Sequence, residues 1–140
     1  MKITLSNEEM RYIVLAEDIT RAPIIDCVEK ENRVTFIVEK GKLGKAIGKN
    51  AKNIKNLESK LKKEVKFVEY DTDKKVFITN LFKPYKLDEI VVMEGEDGTI
   101  VNVTITQGDK GKAIGKNGRN INILRDIAKR HHDIIQLKIL

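Results

Sequence analysis

Residues 44–57 (GKAIGKNAKNIKNL) and residues 111–124 (GKAIGKNGRNINIL) are identical at ten of 14 positions, at a constant offset of 67. Self-similarity at a fixed offset marks a duplicated structural unit. The same offset pairs Gly41 with Gly108, and Val34–Val38 with Val101–Ile105. In both strand-like stretches apolar residues alternate, as Val34, Phe36, Val38 and Val101, Val103, Ile105. Period 2 is the mark of a strand with one buried face. The 140 residues therefore divide into two units, 1–71 and 72–140. Units this small bury little surface alone. The joint Asp71-Thr72-Asp73 has no Gly, Ser or Pro run, so the two are expected to pack as one rigid body.

Local patterns give each unit the order α-β-β-α-loop-α-β, an α+β arrangement. Ser6 and Glu9 have capping-box spacing, and Tyr12, Leu15, Ala16 and Ile19 share a helical face. These predict a helix over 7–20, ended before Pro23. Strands are predicted at 24–28, 34–39 and 65–70, and a short helix at 42–47. A second helix carries Ile54, Leu57 and Leu61 on one face. In the second unit a short helix around Phe77–Phe82 stops at Pro84. Strands follow at 89–94 and 99–106, helices at 109–114 and 118–131, and a last strand at 134–139.

Composition excludes several classes. The longest apolar run, Tyr12–Ala16, is five residues, far below the roughly 20 that span a bilayer. The N-terminal residues lack a secretory signal pattern. The single cysteine, Cys27, cannot form an internal disulfide and reads as a small buried apolar residue. No Cys/His spacing suits zinc. Adjacent His131 and His132 point different ways on a helix, so a helix-end or solvent role is expected rather than a metal site. These facts point to a soluble intracellular protein without a cofactor or metal.

The net charge of +6 conceals strong segregation. Residues 40–66 carry ten Lys and two Glu, a local +8. Residues 107–132 carry seven Lys/Arg and two Asp, a local +5, so the remainder is −7. Cationic segments that each contain a glycine loop suggest a surface that follows phosphates.

The loops are Gly48-Lys49-Asn50-Ala51 and Gly115-Lys116-Asn117-Gly118. Glycine permits a sharp turn and close backbone approach. The helix that follows offers unpaired N–H groups and a positive dipole end to an anion. Lys49 and Lys116 add charge, and Asn50 and Asn117 add hydrogen-bonding groups. Lys45, Lys52, Lys112 and Arg119 flank them. A nucleotide-hydrolase P-loop does not fit. The positions that need its first glycine hold Leu43 and Lys110, and Asn follows each loop lysine. A dinucleotide fingerprint is also missing. With 5% aromatics and none in either repeat core, base-stacking platforms are not expected. Ile47, Ile54, Ile114 and Ile121 bracket the loops as core residues or groove edges.

The string Ile-Gly-Lys-Asn-Gly-Arg-Asn-Ile (114–121) resembles the I-G-x-x-G-x-x-I signature of KH domains, and the element order resembles the type II KH fold. Two such domains in direct succession resemble the KH pair of NusA transcription factors, in the short archaeal form, over nearly the whole chain. The resemblance implies single-stranded RNA binding, about four nucleotides per loop. It further implies a non-enzymatic, monomeric, cytoplasmic role in transcription termination or antitermination, with RNA polymerase or the transcription complex as a further partner. A KH protein of ribosome or RNA-processing assemblies is the alternative. Loop residues carry over as Gly48, Lys49, Asn50 and as Gly115, Lys116, Asn117, Gly118. The first copy departs at Ala51, where a helical start would accept alanine but a methyl would sit beside the phosphate path. Bacterial relatives add a polymerase-binding domain and an S1 domain, for which these 140 residues leave no room.

Overall fold

The computed structural model describes residues 3–140, which form two compact units, Ile3–Asp71 and Thr72–Leu140. In the first, helix α1 (Asn7–Thr20) leads into strands β1 (Ile24–Lys30) and β2 (Arg33–Val38). Then come a short helix α2 (Leu43–Ile47), a 3-10 turn at Lys49–Ala51, helix α3 (Lys52–Leu61) and strand β3 (Glu64–Glu69). The second unit repeats this as α4 (Lys74–Phe82), β4 (Leu87–Gly95), β5 (Gly98–Ile105), α5 (Gln107–Ile114), a 3-10 turn at Lys116–Gly118, α6 (Arg119–His132) and β6 (Ile134–Ile139). The order and type of elements agree with the sequence patterns, and most boundaries lie within two residues of them.

The caps explain where the opening helices start. Ser6 Oγ accepts from the Glu9 N–H and Glu9 Oε1 accepts from the Ser6 N–H, both at 3.0 Å. Sixty-seven residues on, Asp73 Oδ1 accepts from the Val76 N–H at 3.1 Å and begins α4. An oxygen at this position satisfies an N–H that the helix itself leaves unpaired.

Each unit has a three-stranded sheet with the middle strand antiparallel to the first and parallel to the last. Val34 pairs with Val65 and Phe36 with Phe67, whose rings stack at 5.4 Å. Cys27, Val34, Phe36 and Val38 are fully or nearly fully buried with Ala16, Ala46 and Leu57 from the helices. Cys27 thus acts as a small core residue. In the second sheet Thr99, Val101, Val103 and Ile105 alternate with half-buried neighbours along β5.

The copies differ at their ends. Helix α6 has 14 residues against ten in α3, so α6 runs about one turn further before its strand. That extra turn carries His131 and His132 onto the buried Phe77 ring, at centroid distances of 5.8 and 5.1 Å. Both imidazoles are half-buried against an aromatic face rather than simply capping the helix or facing solvent.

Candidate nucleic-acid interface

Each candidate loop joins a short helix to a longer one, and the two loops share one backbone conformation. Gly48 has φ 77° and ψ 165°, and Gly115 has φ 80° and ψ 163°. That combination is essentially open only to glycine. Asn50 (φ 57°, ψ 33°) and Asn117 (φ 56°, ψ 29°) follow in the left-handed region, which Asn tolerates better than most residues. Ala51 N–H donates to the Gly48 carbonyl at 3.1 Å, and Gly118 N–H to the Gly115 carbonyl at 3.0 Å, closing each turn.

The fourth loop position differs from the sequence expectation. Ala51 does not enter the following helix; it is left-handed at φ 58° and ψ 29°, close to Gly118 at φ 73° and ψ 15°. The reason is geometric. The chain must reverse direction between two helices within four residues, and the preceding glycine and asparagine already commit it to that turn. Alanine pays a steric cost in this region of about 1–2 kcal/mol. Its methyl is nonetheless accommodated, since a Cβ built on Gly118 meets nothing closer than Asn122 Nδ2 at 3.6 Å.

The first glycine has no such room. A Cβ on Gly115 would lie 2.7 Å from the Asn120 backbone nitrogen, and one on Gly48 2.9 Å from Asn53 Nδ2. The two glycines of the motif are therefore unequal: the first is required by both torsion and space, the last by torsion alone.

Helices α3 and α6 begin at Lys52 and Arg119, directly after Ala51 and Gly118, and neither start has a side-chain cap or an acid in its first turn. The Lys52 and Arg119 N–H groups donate back to the Lys49 and Lys116 carbonyls, and the helix dipole adds positive potential at each start. Lys45, Lys49, Asn50 and Lys52 are exposed around the first loop, as are Lys112, Lys116 and Asn117 around the second. Gly48, Ala51, Gly115, Gly118 and Arg119 are half-buried. The structure thus brings each predicted set together around its own loop. Of the bracketing isoleucines, Ile47 and Ile54 pack against the first core and Ile121 is buried, while Ile114 is half-buried.

Two groups of residues escaped the sequence reading. Asn120 is buried and donates from Nδ2 to the Ala113 carbonyl at 2.7 Å, and Asn53 donates to the Lys45 carbonyl at 3.2 Å. Each ties the end of the short helix to the start of the long one. Their identity in both repeat copies was the available signal. The second group lines a groove of about 320 Å³ between α6 and β6, with Arg125, Asp126 and Lys129 on one side and Ile134–Lys138 on the other. Arg125 Nε donates to the Leu137 carbonyl at 2.9 Å. No repeat or motif marked these residues. Among the described residues no cluster of His, Cys, Asp and Glu could hold a metal ion, and no helix is long and apolar enough to cross a membrane.

Residues 74–139 match the NusA-like second KH domain, and residues 10–89 match the KH domain family. A probable transcription termination protein NusA of Methanocaldococcus jannaschii is 36% identical over 139 residues, covering 99% of this chain and 76% of that protein. The protein of the same description from Halococcus morrhuae is 32% identical over 139 residues, covering 99% of each chain. The crystal structure of APE1850 superposes with a TM-score of 0.80 at 33% identity, covering 97% of this chain and 100% of that one.

Proposed function

The chain belongs to the NusA family of KH-domain proteins, and from that premise we propose that its two loops grip the backbone of single-stranded RNA during transcription termination or antitermination. It is an RNA-binding transcription termination factor of tandem KH domains. The curated role of its relatives favours this over a ribosomal or RNA-processing assembly.

One observation carries the loop assignment: two loops distant in sequence hold the same glycine-dependent conformation beside uncapped helix starts. A phosphate placed at each start would meet the positive end of the helix dipole. Lys49 and Lys116 neutralise it from the loop tips, Asn50 and Asn117 hydrogen-bond beside it, and Lys45, Lys52, Lys112 and Arg119 extend the cationic path. Arg125 and Lys129 continue that path along α6. The work done is binding and positioning, with no bond made or broken. The protein acts in the cytoplasm as a monomer, with RNA polymerase as the machinery its bound transcript belongs to.

The test is titration of a fluorescent single-stranded RNA with the intact chain and with charge-reversed loops. Replacing Lys116 and Asn117 by Asp weakens binding, and replacing Lys49 and Asn50 as well weakens it further, with an unchanged circular dichroism spectrum. Undiminished affinity in the doubly altered chain sinks the loop assignment.

A further inference from the structure

The two units are near copies around their loops but opposite in charge at one point of the adjoining helix. Glu58 on α3 and Arg125 on α6 stand at equivalent places, separated by the repeat offset of 67. Each reaches across to its unit's last strand. Glu58 Oε2 accepts from the Val65 N–H at 3.0 Å. Arg125 Nε donates to the Leu137 carbonyl at 2.9 Å. Those strand residues are themselves equivalent, because Val65 pairs with Val34 and Leu137 pairs with Val101, the counterpart of Val34. The same helix position thus binds the same strand position through a carboxylate in one unit and a guanidinium in the other.

Neither tether uses up its side chain. Glu58 keeps Oε1 unengaged. Arg125 keeps most of its donor fork, since beyond Nε only Nη1 has a partner, Asn122 Oδ1 at 3.4 Å. Fixing Nε to the backbone pre-orients the planar fork, which favours a bidentate contact. Both strands are sheet edges, and in the second unit the groove opens directly against Arg125. At 1.5 Å of rise per residue, position 125 lies about 10 Å along α6 from the loop, within reach of a segment of about four nucleotides held there.

We infer that Glu58 and Arg125 give the two units different base preferences: the first selects bases that present an amino group, cytosine or adenine, and the second selects guanine. This rests on the RNA-binding reading above. A carboxylate accepts from an exocyclic amino group such as cytosine N4, and it repels the acceptor edge of uracil. A guanidinium donates in pairs to guanine O6 and N7, where adenine offers a competing donor. Phosphate contacts at the loops place the strand, and these two side chains read it.

The experiment isolates each unit within the full chain. With Lys116 and Asn117 replaced by Asp, only the first loop remains cationic; with Lys49 and Asn50 replaced, only the second does. Each chain selects from a pool of short single-stranded RNAs of random sequence, and enriched RNAs are titrated. The first chain enriches cytosine or adenine, and Glu58→Gln, which keeps an acceptor for the Val65 N–H, abolishes that preference. The second enriches guanine by about tenfold or more over adenine, the discrimination of one good bidentate contact. Arg125→Lys then lowers affinity for the guanine RNA to that for its adenine counterpart, with an unchanged circular dichroism spectrum. Equal preferences in the two chains, or preferences that survive Glu58→Gln and Arg125→Lys, overturn the inference while leaving RNA binding intact. If neither chain nor the unaltered protein retains any RNA, the RNA-binding reading itself fails, and this inference with it.

Discussion

Asn120 donates its side-chain amide to the Ala113 carbonyl at 2.7 Å, inside the second unit and largely shielded from solvent. The bond joins the last turn of α5 to the first turn of α6 and so holds the ends of the loop at a set separation. Asn120→Ala leaves a buried carbonyl without its partner, at a cost of about 1–3 kcal/mol. Urea denaturation should show that loss. The corresponding change Asn53→Ala removes a longer, exposed bond of 3.2 Å and should cost under about 1 kcal/mol. Equal losses at the two sites would show that burial does not set the value of this tie.

The glycine loop has a built-in ranking of tolerance. Ala51→Gly removes the left-handed strain and, after the entropy glycine adds to the unfolded chain, should stabilise by about 0.5–1 kcal/mol. Gly118→Ala should destabilise by a similar amount and leave RNA affinity within a few fold. Gly115→Ala should do more harm than both, because its methyl meets the Asn120 backbone nitrogen at 2.7 Å. Chemical denaturation alongside RNA titration ranks the three. A Gly118→Ala chain as damaged as Gly115→Ala would contradict the geometry.

Salt dependence counts the phosphates held. For single strands the slope of log affinity against log salt is about −0.7 per phosphate neutralised. Reversing the charge of one loop should make the slope shallower by about 0.7 for each phosphate that loop neutralises. A slope that does not change on reversing a loop would show that the loop neutralises no phosphate.

Lys66 supplies a pH signature of folding. Burial pushes its ammonium down from 10.5 to about 8, with the Arg33 charge acting in the same direction. Between those values the unfolded chain binds the extra proton, so stability rises as pH increases from 8 towards 10.5. The full effect is on the order of 3 kcal/mol. Tyr12 acts oppositely: burial and its hydrogen bond to Glu29 raise it from 10.0 to about 12, so its contribution is lost only above pH 10. Denaturation of the unaltered chain and of Lys66→Met between pH 8 and 10 therefore reads Lys66 by difference. Lys66→Met should be more stable than the unaltered chain at pH 7 and should lose the upward slope. An unchanged slope in Lys66→Met would assign the titration to another group.

Much of the fold was legible because it rests on neighbours along the chain. The capping box at Ser6 and Glu9, the alternation in Val34–Val38 and Val101–Ile105, and the stops near Pro23 and Pro84 are local patterns with local causes. The loops were legible for a further reason, since the duplication printed the same glycine turn twice. Boundaries moved where a cap or an added turn decided them, as at the end of α6, where Asp133 closes the helix in a left-handed conformation.

The amino-acid sequence by itself determined the two repeats, the order of helices and strands, the glycine loops and the cationic segments around them. All of these depend on residue types a few positions apart. The tertiary structure alone decided that Ala51 takes the left-handed turn of its glycine counterpart and that Asn120 is buried. It also decided that Glu58 and Arg125 meet equivalent strand residues with opposite charge. The last of these relationships passes through the pairing of β2 with β3 and of β5 with β6. Strand pairing brings together residues far apart in the chain, so no local pattern carries it, and the environment it creates sets what each side chain can bind.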